Sequence, residues 1–271
     1  MFETLWMILL PIFGFLIGML AAMTGIGGGV FIVPLLISLY AFAPANAVGT
    51  SLTTIIFTAL ASTLNYSRQR RIYYRTGLVL ALATAPGAFL GAYLTSIIPP
   101  QWLGLIFGVF LIFVALRMAI NFNTLRRKNS DNKKSELQST PRSDSELVVS
   151  KTIILQGAAL SFFGGLASGL LGIGGGVLLV PIMTLAIGMP IHIATATSMF
   201  TMIFTSISGV AQHYVANHIV LEYALPLALG TVLGAQAGAY ASKKVSGRNL
   251  GRIFGIMLLV VSIQMILKYV S

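Results

Sequence analysis

The sequence predicts an all-α polytopic membrane protein built from two gapless repeats that are inverted relative to one another. Each repeat is expected to hold four long helices and a short broken half-helix, giving eight long spans and about ten segments in all. Three observations carry this prediction: an apolar composition, a series of tracts near the length of a bilayer crossing, and a self-match at a fixed offset.

The chain has 271 residues, of which 56% are hydrophobic and 8% charged, and its mean hydropathy is +0.91. Soluble domains carry about 25% charged residues, so this composition belongs in lipid. Apolar tracts cover 5–23, 48–64, 77–98, 102–122, 152–171, 194–215, 223–241 and 250–270, and most approach the ~20 residues that a helix needs to cross the hydrocarbon core. The first tract is preceded by Glu3 and by no lysine or arginine, so it is read as a retained helix and not as a cleaved signal peptide. Cysteine is absent, which excludes disulfides and thiolate metal sites. A net charge of +11 would point a soluble protein toward nucleic acid. In a membrane chain basic residues collect in cytoplasmic loops, so the expected partner is the bilayer, with no nucleic acid and no cofactor.

Shifting the chain by 147 residues places Gly25 on Gly172 and aligns the halves without a gap. Residues 25–35 read GIGGGVFIVPL and residues 172–182 read GIGGGVLLVPI. Ala47, Thr50, Ser51 and Thr54 fall on Ala194, Thr197, Ser198 and Thr201. Gly87, Gly91 and Tyr93 fall on Gly234, Gly238 and Tyr240, and Gly104 and Gly108 on Gly251 and Gly255. The domain division is therefore a first transmembrane repeat at 1–122, a polar cytoplasmic linker at 123–151 and a second repeat at 152–271.

Charge placement decides the relative orientation. Arg68, Arg70, Arg71 and Arg75 lie between the second and third long tracts of the first repeat, where the second repeat has Glu222 and no lysine or arginine. Lys243, Lys244, Arg248 and Arg252 lie between the third and fourth tracts of the second repeat, where the first has no charge. Basic residues exchange loops between copies, as the positive-inside rule expects of an inverted repeat, whereas a parallel eight-span arrangement would leave Lys243, Lys244, Arg248 and Arg252 outside. Inversion needs an odd number of crossings per copy. The short apolar pieces at 30–40 and 177–188 supply the extra segment, spanning only ~16–18 Å at 1.5 Å per residue. This topology puts every basic residue but Lys268 on the cytoplasmic side of a cell membrane.

The GIGGG clusters are too dense in glycine for a helix face, and they lack the strand and acidic residue of a dinucleotide fingerprint. They read as helix breaks. Irregular backbone at membrane depth is tolerated where protein buries it or where it lines a cavity. A half-helix starting at such a break offers unpaired N–H groups and a positive dipole end to an anion. The GxxxG pairs Gly87/Gly91, Gly104/Gly108, Gly234/Gly238 and Gly251/Gly255 read instead as close helix packing. Behind each break, Thr50, Ser51 and Thr54, and Thr197, Ser198 and Thr201, place hydroxyls on one helix face. Asn65 and Gln212 end that face. These hydroxyls either donate to an anion or bond back to their own helix.

All six acidic residues fall at termini, loops or the linker, which argues against carboxylate cation sites and carboxylate proton relays. His192 and His213 are the titratable candidates near the spans, and proton coupling through them stays open.

Together the doubled GIGGG-x3-VP element (25–34 and 172–181) and the following Ala-x2-Thr-Ser (47–51 and 194–198) resemble the TauE/SafE family, also described as the 4-toluene sulfonate uptake permeases or sulfite exporters. The likeness covers essentially the whole chain. It implies an inner-membrane transporter of small sulfur-containing anions such as sulfite, sulfonates or sulfoacetate. The second copy departs with Ala196 at the position of Gly49, Phe200 at Thr53 and Gln212 at Asn65, so the two half-sites are similar but unequal. The expected substrate-binding groups are the backbones of Gly25, Gly27, Gly28, Gly29, Gly172, Gly174, Gly175 and Gly176, joined by Thr50, Ser51, Thr54, Asn65, Thr197, Ser198, Thr201 and Gln212. Alternating access is the expected mechanism and no enzymatic activity is expected. The competing readings are an anion channel, a carrier of another small organic anion and, on the strength of Ser168 and His213, an intramembrane hydrolase. Ala21 occupies the position of Ser168 in the first copy, which weakens the last of these.

Overall fold

The computed structural model describes residues 2–99, 101–103, 105, 106, 109, 112 and 151–242. Beyond a few of those positions, the expected spans at 102–122 and 250–270 and the linker lie outside the described residues. So do Lys243, Lys244, Arg248, Arg252 and the pairs Gly104/Gly108 and Gly251/Gly255.

Among the described residues the regular structure is helical throughout. Helix α1 covers Phe2–Thr24, the short α2 Gly29–Leu39, α3 Pro44–Arg68 and α4 Tyr74–Ile97. The second repeat follows with α5 at Lys151–Leu171 and a short α6 at Gly176–Pro181, which runs on as a π-helical turn at Ile182–Ala186. Helices α7 (Ile191–Val215) and α8 (Leu221–Ala241) complete it. Helices α3, α4, α7 and α8 are long and apolar enough to cross a bilayer. Their outward faces are apolar as well: Leu82 is 71% exposed, Leu229 68% and Leu233 65%. Side chains of that size on consecutive outward turns are at home in hydrocarbon and not in water.

Glycine contacts fix the helix directions. Along α8, Gly230 meets Pro11 and Phe15, Gly234 meets Phe15 and Met19, and Gly238 meets Met19, so α1 and α8 run the same way. Gly87 meets Phe162 and Leu166, and Gly91 meets Leu166 and Leu170, so α4 and α5 also run together. Helix α3 follows α8, from Thr50 beside Val220 to Gln69 beside Ala239. It opposes α7, with Gly49 at His213 and Leu52 at Gly209. Helix α4 follows α7, from Gly77 beside Thr201 to Ala85 beside Ser208. Thus α1, α3 and α8 share one direction, and α4, α5 and α7 the other. Helix α2 turns back from the end of α1, because the residues after it, Tyr40 and Phe42, pack edge-on against Tyr223 at the start of α8.

The two repeats are interlocked and not set side by side. The first long helix of each packs along the last described helix of the other, and small residues make that approach possible. A methyl added at Gly87, Gly91, Gly234 or Gly238 would be driven into a carbonyl of the facing helix. This is the close packing read from those GxxxG pairs. Two further small-residue pairs, Gly14/Gly18 on α1 and Gly165/Gly169 on α5, form the opposite walls of the same contacts. Because the obstacle is backbone, it cannot rotate away. Gly234→Val is therefore expected to cost about 1–3 kcal/mol, read as a lower thermal midpoint of the purified protein in detergent. Leu229→Ala, on the lipid-facing surface, is expected to leave the midpoint in place.

Candidate functional site

Each long first helix ends at a glycine cluster because the backbone there turns left-handed. Gly25, Gly27 and Gly28 have φ of 77°, 96° and 91°, and Gly172, Gly174 and Gly175 have φ of 70°, 78° and 82°. Residues with a Cβ rarely adopt this conformation, so the pattern G-I-G-G is a local instruction to stop one helix and start another. Gly28 and Gly175 serve as N-caps of α2 and α6.

The two breaks meet reciprocally. Gly29, the first residue of α2, lies against the carbonyl of Gly172 and the Cα of Ile173. Gly176, the first residue of α6, lies against the carbonyl of Gly25 and Ile26. Serines then fasten each break to the other repeat. Ser51 Oγ donates to Gly172 O at 2.8 Å, and Ser198 Oγ donates to Gly25 O at 2.8 Å. The threonines just before them accept from the facing turns: Val220 N–H donates to Thr50 Oγ1 at 3.1 Å, and Tyr73 N–H to Thr197 Oγ1 at 3.1 Å.

The remaining hydroxyls of this face bond within their surroundings. Thr54 donates to Thr50 O, while Thr201 donates to Thr197 O and to Gly77 O. Asn65 bonds Gln236 and accepts from Gln69. Asn65 and Gln212 close the C-terminal ends of α3 and α7, and since those helices oppose each other, the structure sets the two amides at opposite ends of the molecule. All eight glycine positions proposed from the sequence, by contrast, are buried in one place.

What the breaks leave unpaired is backbone N–H. Among the described residues no acceptor faces the N–H groups of Gly27, Gly28, Gly29 and Val30, or of Gly174, Gly175, Gly176 and Val177. Buried backbone donors are nearly always paired, so two such runs side by side mark the place where a ligand has most to offer. Their immediate surroundings are apolar. A Cβ on Gly27 would lie 2.7 Å from Met202 Sδ, and one on Gly174 would lie 3.1 Å from Ile55 Cγ2 and 3.2 Å from the same sulfur. Met202 and Ile55 occupy equivalent positions of the two repeats, and both are fully buried. Among the described residues no lysine, arginine or carboxylate enters this centre, and no group of three or more metal-ligating side chains occurs.

Two further side chains brace the breaks from outside. Tyr66 Oη donates to Ala22 O at 2.6 Å, and the equivalent His213 places Nε2 3.2 Å from Gly169 O. Each is fully buried, and the carbonyl it faces lies three residues upstream of its repeat's cluster. Because His213 faces this carbonyl, it forms no hydrogen bond with Ser168, whose hydroxyl has no partner. Sequence matching passes over the Tyr66/His213 pair because the residues differ. Its signal is positional: a large polar group at the same place in both copies, followed by the same turn. That turn is closed by Arg71 N–H to Tyr66 O in one repeat and His218 N–H to His213 O in the other.

Interlocked apolar helices around a paired, neutral, donor-rich break define a polytopic membrane transporter. The comparison with known families gives the particular one: residues 10–265 match the model described as "Sulfite exporter TauE/SafE", and the chain belongs to that family. It is 32% identical over 219 residues to the Probable membrane transporter protein YunE of Bacillus subtilis, covering 78% of this chain and 80% of that one. It is 28% identical over 223 residues to a Probable membrane transporter protein of Methanocaldococcus jannaschii, covering 80% and 76%. It is 29% identical over 187 residues to one of Xylella fastidiosa, covering 69% and 66%. No solved structure matches the chain.

Removing either serine strands a buried carbonyl at the crossing. Ser51→Ala and Ser198→Ala should each cost about 1–3 kcal/mol and by similar amounts, read from the thermal midpoints of the two variants. A large effect of one and none of the other would show that the two fastenings are not equivalent.

Proposed function

We propose that this chain carries small sulfur-containing anions, such as sulfite, sulfonates or sulfoacetate, by alternating access through the paired glycine breaks. The observation that carries the reading is the double run of buried N–H groups without acceptors, held in neutral and otherwise apolar surroundings. Backbone donors at helix N-termini bind oxyanions without a cation. The positive ends of α2 and α6 both begin at this crossing, which adds favourable potential for a negative ligand. A site without a fixed positive charge also releases its anion readily, as a transporter must. The apolar walls of Met202 and Ile55 suit the carbon portion of a sulfonate beside its charged head. Ser51, Ser198, Thr54 and Thr201 contribute by holding the carbonyls around the site. Thr50 and Thr197 accept from Val220 N–H and Tyr73 N–H and keep a hydroxyl proton for the ligand.

The same proposal takes the repeats as inverted, with eight long spans and the division at 1–122, 123–151 and 152–271. Its support is that α1 and its counterpart α5 run in opposite directions, as do α3 and α7, and α4 and α8. Inverted repeats let one half repeat at the far side of the membrane the motion that the other makes at the near side. With Arg68, Arg70, Arg71 and Arg75 on the cytoplasmic side of the cell membrane, the inner mouth concentrates anions, which favours export. A channel built on the same breaks would show neither saturation nor countertransport.

The test is anion flux in proteoliposomes. Wild type should take up methanesulfonate or sulfite with saturation and countertransport. Gly27→Val and Gly174→Val should each lower that flux at least ~100-fold, because a bulky side chain both strains the left-handed backbone and displaces Met202 into the site. Retained flux in either variant, with the protein still monodisperse in detergent, would remove the breaks from the transport path.

A further inference from the structure

The two repeats brace their glycine breaks with different chemistry. In the first, Tyr66 holds Ala22 O, and the turn beyond it presents Arg71, a permanent cation. In the second, the equivalent positions are His213 and His218. The His213 ring is fully buried, its Nε2 is 3.2 Å from Gly169 O, and its Nδ1 is 3.3 Å from His218 Nδ1. The ring centroids are 5.5 Å apart. A fixed hydroxyl–cation pair at one end is thus matched by two imidazoles at the other, His213 buried and His218 half-buried.

We propose that His213 and His218 form a binding site for one proton, taken up as the second repeat's end of the molecule opens. The proposal rests on the transporter reading above and names its coupling ion. The hydrogen bonds fix the protonation states. Gly169 O requires N–H on His213 Nε2, so His213 Nδ1 is an acceptor and His218 Nδ1–H donates to it. One added proton goes to His218 Nε2 and breaks no bond. A second would set N–H against N–H at the Nδ1 contact, so the pair holds one proton and not two.

Nothing else nearby competes for that charge. Helix α3 brings Gly49 against the pair, and α5 brings Ser168 and Gly169. The turn itself carries Tyr214 and Asn217. No lysine, arginine, aspartate or glutamate among the described residues bonds either ring, and Glu222, at the start of α8, is exposed. A groove of about 460 Å³ lined by Thr53, Val210, Tyr214, Val215, Asn217, Ile219 and Leu221 opens beside the turn. Burial holds His218 below the usual imidazole range. The sign follows: the packed end is favoured above that range and disfavoured as the pH falls through it, because the protonated ring prefers a hydrated, open end. A proton there supplies, reversibly, the charge that Arg71 provides permanently at the other end.

The chain has no cysteine, so single-cysteine labelling reads the opening directly. Ser168→Cys reports the second break, and Ala21→Cys reports the equivalent place in the first. Their ratio of labelling rates by a water-soluble maleimide cancels the thiol's own pH dependence. On going from about pH 8 to about pH 6, across the ordinary imidazole value of about 6.5, the Ser168→Cys to Ala21→Cys ratio should rise several-fold. His218→Gln should flatten it, as should His213→Tyr combined with His218→Arg, which writes the first repeat's pair into the second. A flat ratio in the otherwise unaltered protein, or a rise that survives His218→Gln, overturns the proposal. Labelling needs no substrate, so its failure and a failure of anion flux are separate results.

Discussion

Everything in this molecule depends on the crossing of two left-handed glycine breaks, each held by a serine of the other repeat. Ser51 on Gly172 O and Ser198 on Gly25 O are hydrogen bonds between halves of the chain that lie far apart in sequence. At membrane depth there is no water to satisfy a carbonyl released from its helix, so a break there is stable only if another segment supplies the donor. Each repeat supplies what the other lacks. Neither repeat can therefore keep its break in lipid alone, and the glycine-lined packing of α1 on α8 and of α4 on α5 follows from the need to bring the two breaks together.

The serines satisfy carbonyls and leave the N–H groups over. A helix terminus exposes orphan donors at its start and orphan acceptors at its end, and each break contains one of each: the end of a long helix and the start of a short one. The partner repeat caps the ends through Ser51 and Ser198, while nothing in the described chain caps the starts. This division of labour is what the proposed anion site rests on, since among the described residues the centre contains no basic side chain.

Much of this was legible in the sequence. The 147-residue offset, the helix breaks and the short half-helices follow from glycine chemistry and apolar length, which are local properties. The packing role of Gly87/Gly91 and Gly234/Gly238 was legible for the same reason. The destinations of the hydroxyls were not. Whether Ser51 donates to a ligand or to Gly172 O depends on which segment of the other repeat lies opposite, and side-chain spacing along α3 carries no record of that. Asn65 and Gln212 illustrate the limit: equivalent in sequence, they are carried to opposite ends by the opposed directions of α3 and α7. Tyr66 stayed hidden, and His213 was legible as a titratable group but not as a brace, because their equivalence is one of position and not of residue type.

Departures from symmetry are where the two halves acquire separate duties. Identical halves would give the two end states of a rocking motion equal energy, and a ligand that touched both halves alike would bias neither. The packing residues keep close to symmetry, with glycine facing backbone in both copies, so the proposed rocking motion would cost similar amounts in either direction. Unequal pairs such as Tyr66 with His213 and Arg71 with His218 lie instead at the braces, beside the elements that would separate in the proposed opening of one end. A difference placed there changes the relative energy of the two end states without changing the binding centre. Reciprocity then requires that whatever binds preferentially at one brace also shifts the affinity of the centre between its two accessible faces. Symmetric packing at the core and asymmetric chemistry at the braces is thus the arrangement by which a duplicated fold acquires a direction.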